Sequence, residues 1–181
     1  MSQLTINQRS TTRGASLLLF AASLCLALGS AQAEERVYRP NVTLCEPSRI
    51  MEPYLDRGYT SVRAISSRFG TFSVVCPLLP STPNANSLLV RKVSAFVVDS
   101  DGRGTGQYVN VQVRSHTDND TFPFKAIINS NNVSGPSSRW ISTGSFTVNP
   151  QAESTYVIVT LYRAPGAARP ALKGLRVEYA E

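Results

Sequence analysis

Hydrophobic and polar residues alternate with a period of two along most of the chain after residue 60. In residues 108–114, valines occupy every second position from Val109 to Val113, and the positions between them are polar. This alternation is typical of a β-strand with one buried face. The same pattern predicts further strands over residues 61–65, 71–76, 88–98, 140–148 and 175–179.

The stretch from Tyr156 to Tyr162 is apolar or aromatic on both faces, which predicts a strand in the centre of a sheet. Residues 34–59 have a weaker pattern, and we expect a strand and a loop there. Turn-rich segments, and no helical stretches, separate the predicted strands. The fold class is therefore all-β: an antiparallel β-sandwich or jelly roll of about 7–9 strands.

The first 33 residues have a different pattern. Arg9 and Arg13 precede an apolar run over residues 15–28, and the small-residue triplet that ends at Ala33 follows it. This is the order of a secretory signal peptide, and the run is shorter than the ~20 residues that span a bilayer. We expect cleavage between Ala33 and Glu34 and export of residues 34–181, as one domain without a transmembrane segment, to the periplasm or the extracellular space. Lipidation at Cys25 is the alternative.

Once the signal peptide is removed, Cys45 and Cys76 are the only cysteines. An exported chain with two cysteines most simply joins them in a disulfide. A metal site is the poorer interpretation, because two cysteines and one histidine do not complete a tetrahedral ligand set. The sequence predicts neither a metal nor a cofactor.

The whole chain contains 18 Lys and Arg and 12 Asp and Glu. Because Arg9 and Arg13 leave with the signal peptide, the mature chain has 16 basic residues and a net charge of +4. The basic residues are scattered, whereas a nucleic-acid-binding surface needs them clustered among aromatic residues. We therefore expect no nucleic-acid partner.

A V-x-C-P-L-x-P-like strand end lies within residues 71–80 (TFSVVCPLLP), between residues 58–63 (GYTSVR) and 97–102 (VVDSDG). In these segments the chain resembles a group of small exported bacterial proteins of uncharacterised function. The resemblance covers residues 58–114 and implies an exported β-sandwich, but no activity. Relatives often carry a further cysteine where this chain has Val111 and Val113, so the resemblance implies no second disulfide here.

Residues 99–104 (DSDGRG) begin like a calcium-binding loop. Such a loop needs oxygen ligands at positions 1, 3 and 5 and an acid at position 12. With Asp99 at position 1, Arg103 occupies position 5 and Asn110 position 12. A hairpin turn is the better interpretation.

His116 is the only histidine, so catalysis by a Ser–His or Cys–His pair would have to use it. It stands near Asp118 at the predicted end of a strand, and the chain has no G-x-S-x-G nucleophile motif. A surface histidine beside a turn is the commoner situation. A small hydrolase that uses His116 remains an alternative function.

The aromatic residues are the remaining candidates for a binding site. Tyr108, Tyr156 and Tyr162 are predicted on the strand faces opposite the buried residues, and Trp140 begins a strand after a polar loop. Exposed tyrosine or tryptophan can stack on sugar rings, although such residues more often pack with a polar tip at the surface. We expect an exported, non-enzymatic binding or envelope-associated protein whose partner is a glycan or an envelope component. A carbohydrate-binding module is the alternative within the binding class.

Overall fold

The computed structural model describes residues 35–47, 54–58, 60–65, 67–78 and 87–180. The predicted signal peptide and its cleavage site at Ala33 and Glu34 lie outside the described residues. The described residues form twelve β-strands: β1 (Glu35–Tyr38), β2 (Glu46–Pro47), β3 (Leu55–Gly58), β4 (Ser61–Ala64), β5 (Gly70–Pro77), β6 (Leu88–Val98), β7 (Gln107–Thr117), β8 (Phe124–Asn129), β9 (Ser138–Ser142), β10 (Phe146–Val148), β11 (Glu153–Arg163) and β12 (Ala171–Ala180). Short 3-10 helices occupy Val42–Leu44 and Ser130–Asn132.

The strands make two antiparallel sheets. The five-stranded sheet has the order β2-β5-β11-β7-β8. In the seven-stranded sheet β6 and β12 are central and pair with each other. β9 and β10 pair with different parts of β6. Likewise, β1 and β4 pair with different parts of β12, and β3 pairs with β4. This architecture confirms the predicted antiparallel β-sandwich, with more strands than the 7–9 expected because several of them are short.

The core lies between the sheets and is built by the period-two alternation. On β7 the buried side chains include Val109 and Val111, and on β11 they include Val157 and Val159. Valine is β-branched and fits the pleated surface of a strand well, which favours this conformation locally. The central position predicted for residues 156–162 is confirmed, since β11 lies between β5 and β7.

Two predictions about the strands need correction. Residues 140–148 form β9 and β10 rather than one strand, because Thr143 turns inward and its Oγ1 accepts the backbone N–H of Val93 at 3.0 Å. The sequence predicts no strand at β8, whose pairing with β7 shifts in register between Val113 and Arg114. This irregularity breaks the simple alternation that reveals the other strands.

Residues 34–59 hold three short strands, β1, β2 and β3, rather than the single strand expected. The predicted disulfide between Cys45 and Cys76 is present, and both residues are fully buried. Cys45 directly follows the first 3-10 helix, which contacts β4 and β12 of the seven-stranded sheet, and Cys76 lies in β5 of the other sheet. The bond therefore anchors the N-terminal segment between the two layers.

Within the described part of the chain, we find no helix with the length and apolar character that crossing a membrane requires.

Candidate functional site

The outer face of the five-stranded sheet carries all three tyrosines singled out in the sequence. Because β7 and β11 bury alternate residues, the remaining residues of each strand point away from the core. We call this surface the tyrosine face. Its central residues are Tyr108, Asn110, Gln112 and Arg114 of β7 and Tyr156, Ile158, Thr160 and Tyr162 of β11.

Tyr108 and Tyr162 are direct neighbours on this face. They are paired in register across β7 and β11, and their rings stack with centroids 4.8 Å apart and an interplanar angle of 19°. Tyr162 has Thr71 of β5 on its other side, whereas β8 ends opposite Asn110 and pairs no residue with Tyr108. Each ring therefore covers part of the other, and both side chains remain partly exposed.

Tyr156 marks the other end of the same face. It is six residues from Tyr162 along β11, about 20 Å at the usual rise of a strand. In register it pairs with Pro77 of β5 and Arg114 of β7. All three tyrosines are half-buried, so their rings are held by neighbours while part of each remains accessible.

Polar side chains fill the surface between the tyrosines. Thr160 is in register with Asn110 on one side and Ser73 on the other, and the Ser73 and Thr160 hydroxyls lie 3.1 Å apart. Asn110 Oδ1 is shielded from solvent and accepts no hydrogen bond from any described residue. An acceptor left without a donor is rare in a folded protein.

Arg114 lies beside Tyr156 and is also paired with Phe124 of β8. Its Nε is shielded from solvent and has no acceptor among the described residues. Nor does any described carboxylate form an ion pair with its guanidinium. The tyrosine face thus contains a cation that has no acceptor or counter-ion in the part of the chain that the structure describes.

Trp140 lies on the outer face of the other sheet and is separated from the tyrosines by the core. Its ring is 5.4 Å from that of Phe96, and the guanidinium of Arg176 lies 5.3 Å from its centroid. Although 45% of Trp140 is exposed, its ring already packs against the side chains of Phe96 and Arg176. The structure therefore brings three of the four predicted aromatic residues together and leaves Trp140 apart.

The cations near Trp140 are paired. Arg176 Nη2 is 2.8 Å from Glu178 Oε1, and Lys92 Nζ is 3.0 Å from Glu178 Oε2. The ammonium of Lys173 lies 5.9 Å from the centroid of the Phe96 ring. Lys92 and Arg176 are thus paired with one carboxylate, unlike Arg114 on the tyrosine face.

His116 forms an exposed contact at the end of β7. Its Nε2 is 3.0 Å from Asp120 Oδ1, and its ring stacks on Phe122 with 4.7 Å between centroids. Asp120, rather than the Asp118 considered from the sequence, is therefore its carboxylate neighbour. Ser154 pairs with His116 in register, but no hydrogen bond joins their side chains.

A polar cleft of about 450 Å³ lies next to the end of β7 that carries His116. Its lining includes Thr117, Asp118, Lys125 and Glu153. Lys125 Nζ and Glu153 Oε2 are 2.8 Å apart. Burial acts to raise the pKa of Glu153, but hydrogen bonds from Lys125, the Asn149 backbone and Ser115, with the charge of Lys125, together lower it. Glu153 is thus an ionised, paired carboxylate and a poor proton donor at neutral pH.

The acidic loop after β6 is structural. Asp99 is buried and its Oδ2 lies 3.1 Å from Arg139 Nη2, while Asp101 Oδ2 accepts the backbone N–H groups of Gly106 and Gln107. Burial, together with the neighbouring Asp101, raises the pKa of Asp99, although the Ser130 hydroxyl and the charge of Arg139 act to lower it. Among the described residues there is no group of three or more His, Cys, Asp or Glu placed to hold a metal ion.

Comparison with known proteins gives likeness at the level of structure only. No protein-family model and no curated protein sequence matches the chain. A xylan-binding module, CBM15, superposes with a TM-score of 0.47 and 10% identity over 82% of this chain and 99% of that chain. The C-terminal family 22 carbohydrate-binding module of Clostridium thermocellum Xyn10B gives a TM-score of 0.44 and 14% identity over 79% and 92%.

A xylan-binding domain from CBM 22 gives a TM-score of 0.42 and 14% identity over 83% of this chain and 96% of that chain. These proteins share with the chain little more than a similar course of the backbone.

Proposed function

We propose that this protein binds carbohydrate, without catalysis, on the tyrosine face. The observation that carries the proposal is the grouping of Tyr108, Tyr156 and Tyr162 on the outer face of one sheet, with two of the rings already stacked. The two ends of this group are about 20 Å apart, which suits several units of a polysaccharide chain better than a single sugar.

The chemistry of the face matches that of a sugar. A pyranose ring has an apolar C–H surface that packs on an aromatic ring, and hydroxyl groups that need hydrogen-bond partners at its rim. Tyrosine supplies the first at low cost in conformational entropy, since it has few rotatable bonds. Asn110, Gln112 and Thr160 lie between the aromatic positions and supply donors and acceptors.

The half-buried state of the tyrosines also supports binding. Tyr162 is held between Tyr108 and Thr71, and Tyr156 between Arg114 and Pro77. Side chains that are ordered before the ligand arrives lose less entropy on binding, which leaves more of the contact energy for affinity. A rigid strand surface is a good support for such a site.

The test is affinity gel electrophoresis of the exported protein in gels that contain neutral or acidic polysaccharides. We expect at least one polysaccharide to retard the wild-type protein, and Tyr162→Ala or Tyr156→Ala to weaken that binding roughly fivefold or more through lost stacking. Trp140→Ala, on the opposite sheet, is the matched control and should bind like the wild type. Retardation by none of the polymers, or unchanged binding by both folded tyrosine variants, would contradict the proposal.

A further inference from the structure

We propose that the glycan recognised by the tyrosine face is acidic, and that Arg114 binds the carboxylate of a uronic acid unit. This inference rests on the proposed function, because it names the class of sugar that the same face takes. It starts from the one feature that recognition of a neutral sugar does not need: a guanidinium beside Tyr156, at one end of the face, with no partner among the described residues.

The surroundings of Arg114 leave its charge uncompensated. Its register neighbours are Tyr156 on β11 and Phe124 on β8, neither of which carries a negative charge. Glu46 is an exposed acid at the far edge of the same sheet, on β2. Three strand spacings, roughly 14 Å, separate β2 from β7, which is too far for an ion pair.

Asp118 and Asp120, in the connection that follows β7, lie close to Arg114 along the chain, but neither forms an ion pair with it, and Asp120 contacts His116 instead. Glu153, at the same end of the sheet, is also unavailable. Its carboxylate is held by Lys125 at 2.8 Å and by the backbone N–H of Asn149 at 2.7 Å. Both side chains of that pair are largely buried, so the pair will not open easily to reach Arg114.

Other half-buried or buried arginines in the protein have acceptors. Arg139 donates to Asp99 and to several carbonyl oxygens, and Arg163 donates to the carbonyl oxygens of Ile65, Arg68 and Ala167. Arg176 pairs with Glu178. The Nε atoms of Arg139, Arg176 and Arg114 are all buried without an acceptor, so the difference lies in the terminal nitrogens. Arg139 and Arg176 have partners there, whereas Arg114 has none among the described residues, which points to a partner that comes from outside.

A carboxylate on a sugar is the partner that fits this site best. Guanidinium is planar and always charged, and its N–H groups match the two oxygens of a carboxylate in a bidentate pair. A sugar stacked at Tyr156 would bring a ring substituent next to Arg114, since the two residues are direct neighbours across β11 and β7. The aromatic contact and the ion pair would then be made by one uronic acid unit.

The experiment compares polyuronates with the same polymers after reduction of their carboxyl groups. The exported protein is run in affinity gels that contain polygalacturonate, alginate or hyaluronan, or the carboxyl-reduced form of each. We expect at least one polyuronate to bind tenfold or more tightly than its reduced form, the size of effect typical of a hydrogen bond to a charged group. Arg114→Gln should lose that advantage.

Two variants control for charge and for geometry. Arg91→Gln removes the same charge from an exposed strand position on the other sheet and should bind polyuronates like the wild type. Arg114→Lys keeps the positive charge but lacks the planar guanidinium that can pair with both oxygens of a carboxylate. Its affinity for polyuronates should lie between that of the wild type and that of Arg114→Gln. Circular dichroism and thermal unfolding check that each variant is folded.

The outcomes separate this inference from the proposed function. Equal binding of every polyuronate and its reduced form, or wild-type affinity of Arg114→Gln for polyuronates, would overturn the inference. If neutral polysaccharides bind in a tyrosine-dependent way while no polyuronate binds better, the proposed function stands and only this inference falls. If no polysaccharide of either kind binds, both fall.

Discussion

Arg139 and Asp99 form an ion pair in the interior of the sandwich, with 3.1 Å between Nη2 and Oδ2, and both side chains are almost fully buried. The same guanidinium donates to the carbonyl oxygens of Ser130, at 3.0 Å, and Pro136, at 2.9 Å. Asp99 begins the connection from β6 to β7, and the two carbonyls belong to the connection from β8 to β9. One arginine therefore holds together two loops at the same end of the fold.

Replacing Arg139 should strongly destabilise the protein. We expect Arg139→Met to lower the free energy of unfolding by about 3–5 kcal/mol at pH 7, because Asp99 would remain buried without its counter-ion. The raised pKa of Asp99 sets the sign of the pH dependence: its protonated form favours the folded state at low pH, and that contribution is lost as the pH rises. Urea unfolding at pH 7 and pH 4 should show the smaller loss at pH 4. A loss below about 1 kcal/mol at pH 7 would contradict this prediction.

The disulfide should contribute stability without being needed for the fold. Its cysteines are 31 residues apart, and closing a loop of that length restricts the unfolded chain. We expect the double variant Cys45→Ser and Cys76→Ser to lose about 2–4 kcal/mol and to keep the circular dichroism spectrum of the wild type. Unfolding curves of the oxidised wild type and the double variant measure the loss, and a variant that is unfolded in buffer would show that the bond is essential.

Glu153 should make the protein less stable in acid. Because its pKa is lowered in the folded state, it stabilises the protein above its unfolded value of about 4.3, and this contribution disappears as the pH falls through the folded pKa. Glu153→Gln should cost about 1–3 kcal/mol at neutral pH and much less near pH 3. Chemical unfolding from pH 7 to pH 3 tests this. Parallel pH profiles for the wild type and the variant would rule out the expected role.

Trp140 should matter for stability and not for glycan binding. Its ring packs against Phe96 and Arg176, and an aromatic pair of this kind contributes about 0.5–1.5 kcal/mol beyond the area it buries. Thermal unfolding of Trp140→Ala should therefore show a lower midpoint, while its retardation by polysaccharides equals that of the wild type. Weaker retardation of this variant, with the tyrosine variants unaffected, would move the binding site to the other sheet.

His116 should be dispensable. Its contact with Asp120 is exposed, and such pairs contribute little in water. We expect His116→Ala to change the free energy of unfolding by no more than about 0.5 kcal/mol and to leave polysaccharide binding unchanged. Release of reducing sugar from a bound polysaccharide by the wild type, and its loss in His116→Ala, would instead favour the hydrolase alternative.

The strands that the sequence predicts best are those in which one residue in two is buried. β7 is the clearest example, because its inward valines alternate with polar residues and Tyr108, which face outward. β11 also buries alternate residues, but its outward positions include the apolar Ile158, and its prediction as a central strand rests on apolar or aromatic residues on both faces. The same pattern does not predict β8, because a register shift between Val113 and Arg114 alters its pairing with β7. The split between β9 and β10 depends on the hydrogen bond between Thr143 and Val93, which are 50 residues apart.

The candidate site could be predicted in part for a related reason. Alternation along a single strand places Tyr108 or Tyr162 on an outward face, but it does not say that they stack, which depends on the pairing of β7 with β11. Nor does it indicate that Arg114 is important. The lack of a counter-ion for an arginine can be recognised only when the positions of the nearby acids are known. Many of these acids lie on strands that are distant in the sequence.

The unequal pairing of charges on the two sheets has a consequence for valency. On the seven-stranded sheet the described cations Lys92 and Arg176 share Glu178, whereas Arg114 on the five-stranded sheet has no such partner. If the tyrosine face is the only binding surface, as we propose, one copy of the protein engages one polymer chain at a time. A single molecule of this kind would coat a polysaccharide without cross-linking it, and networks would form only if two copies were joined back to back.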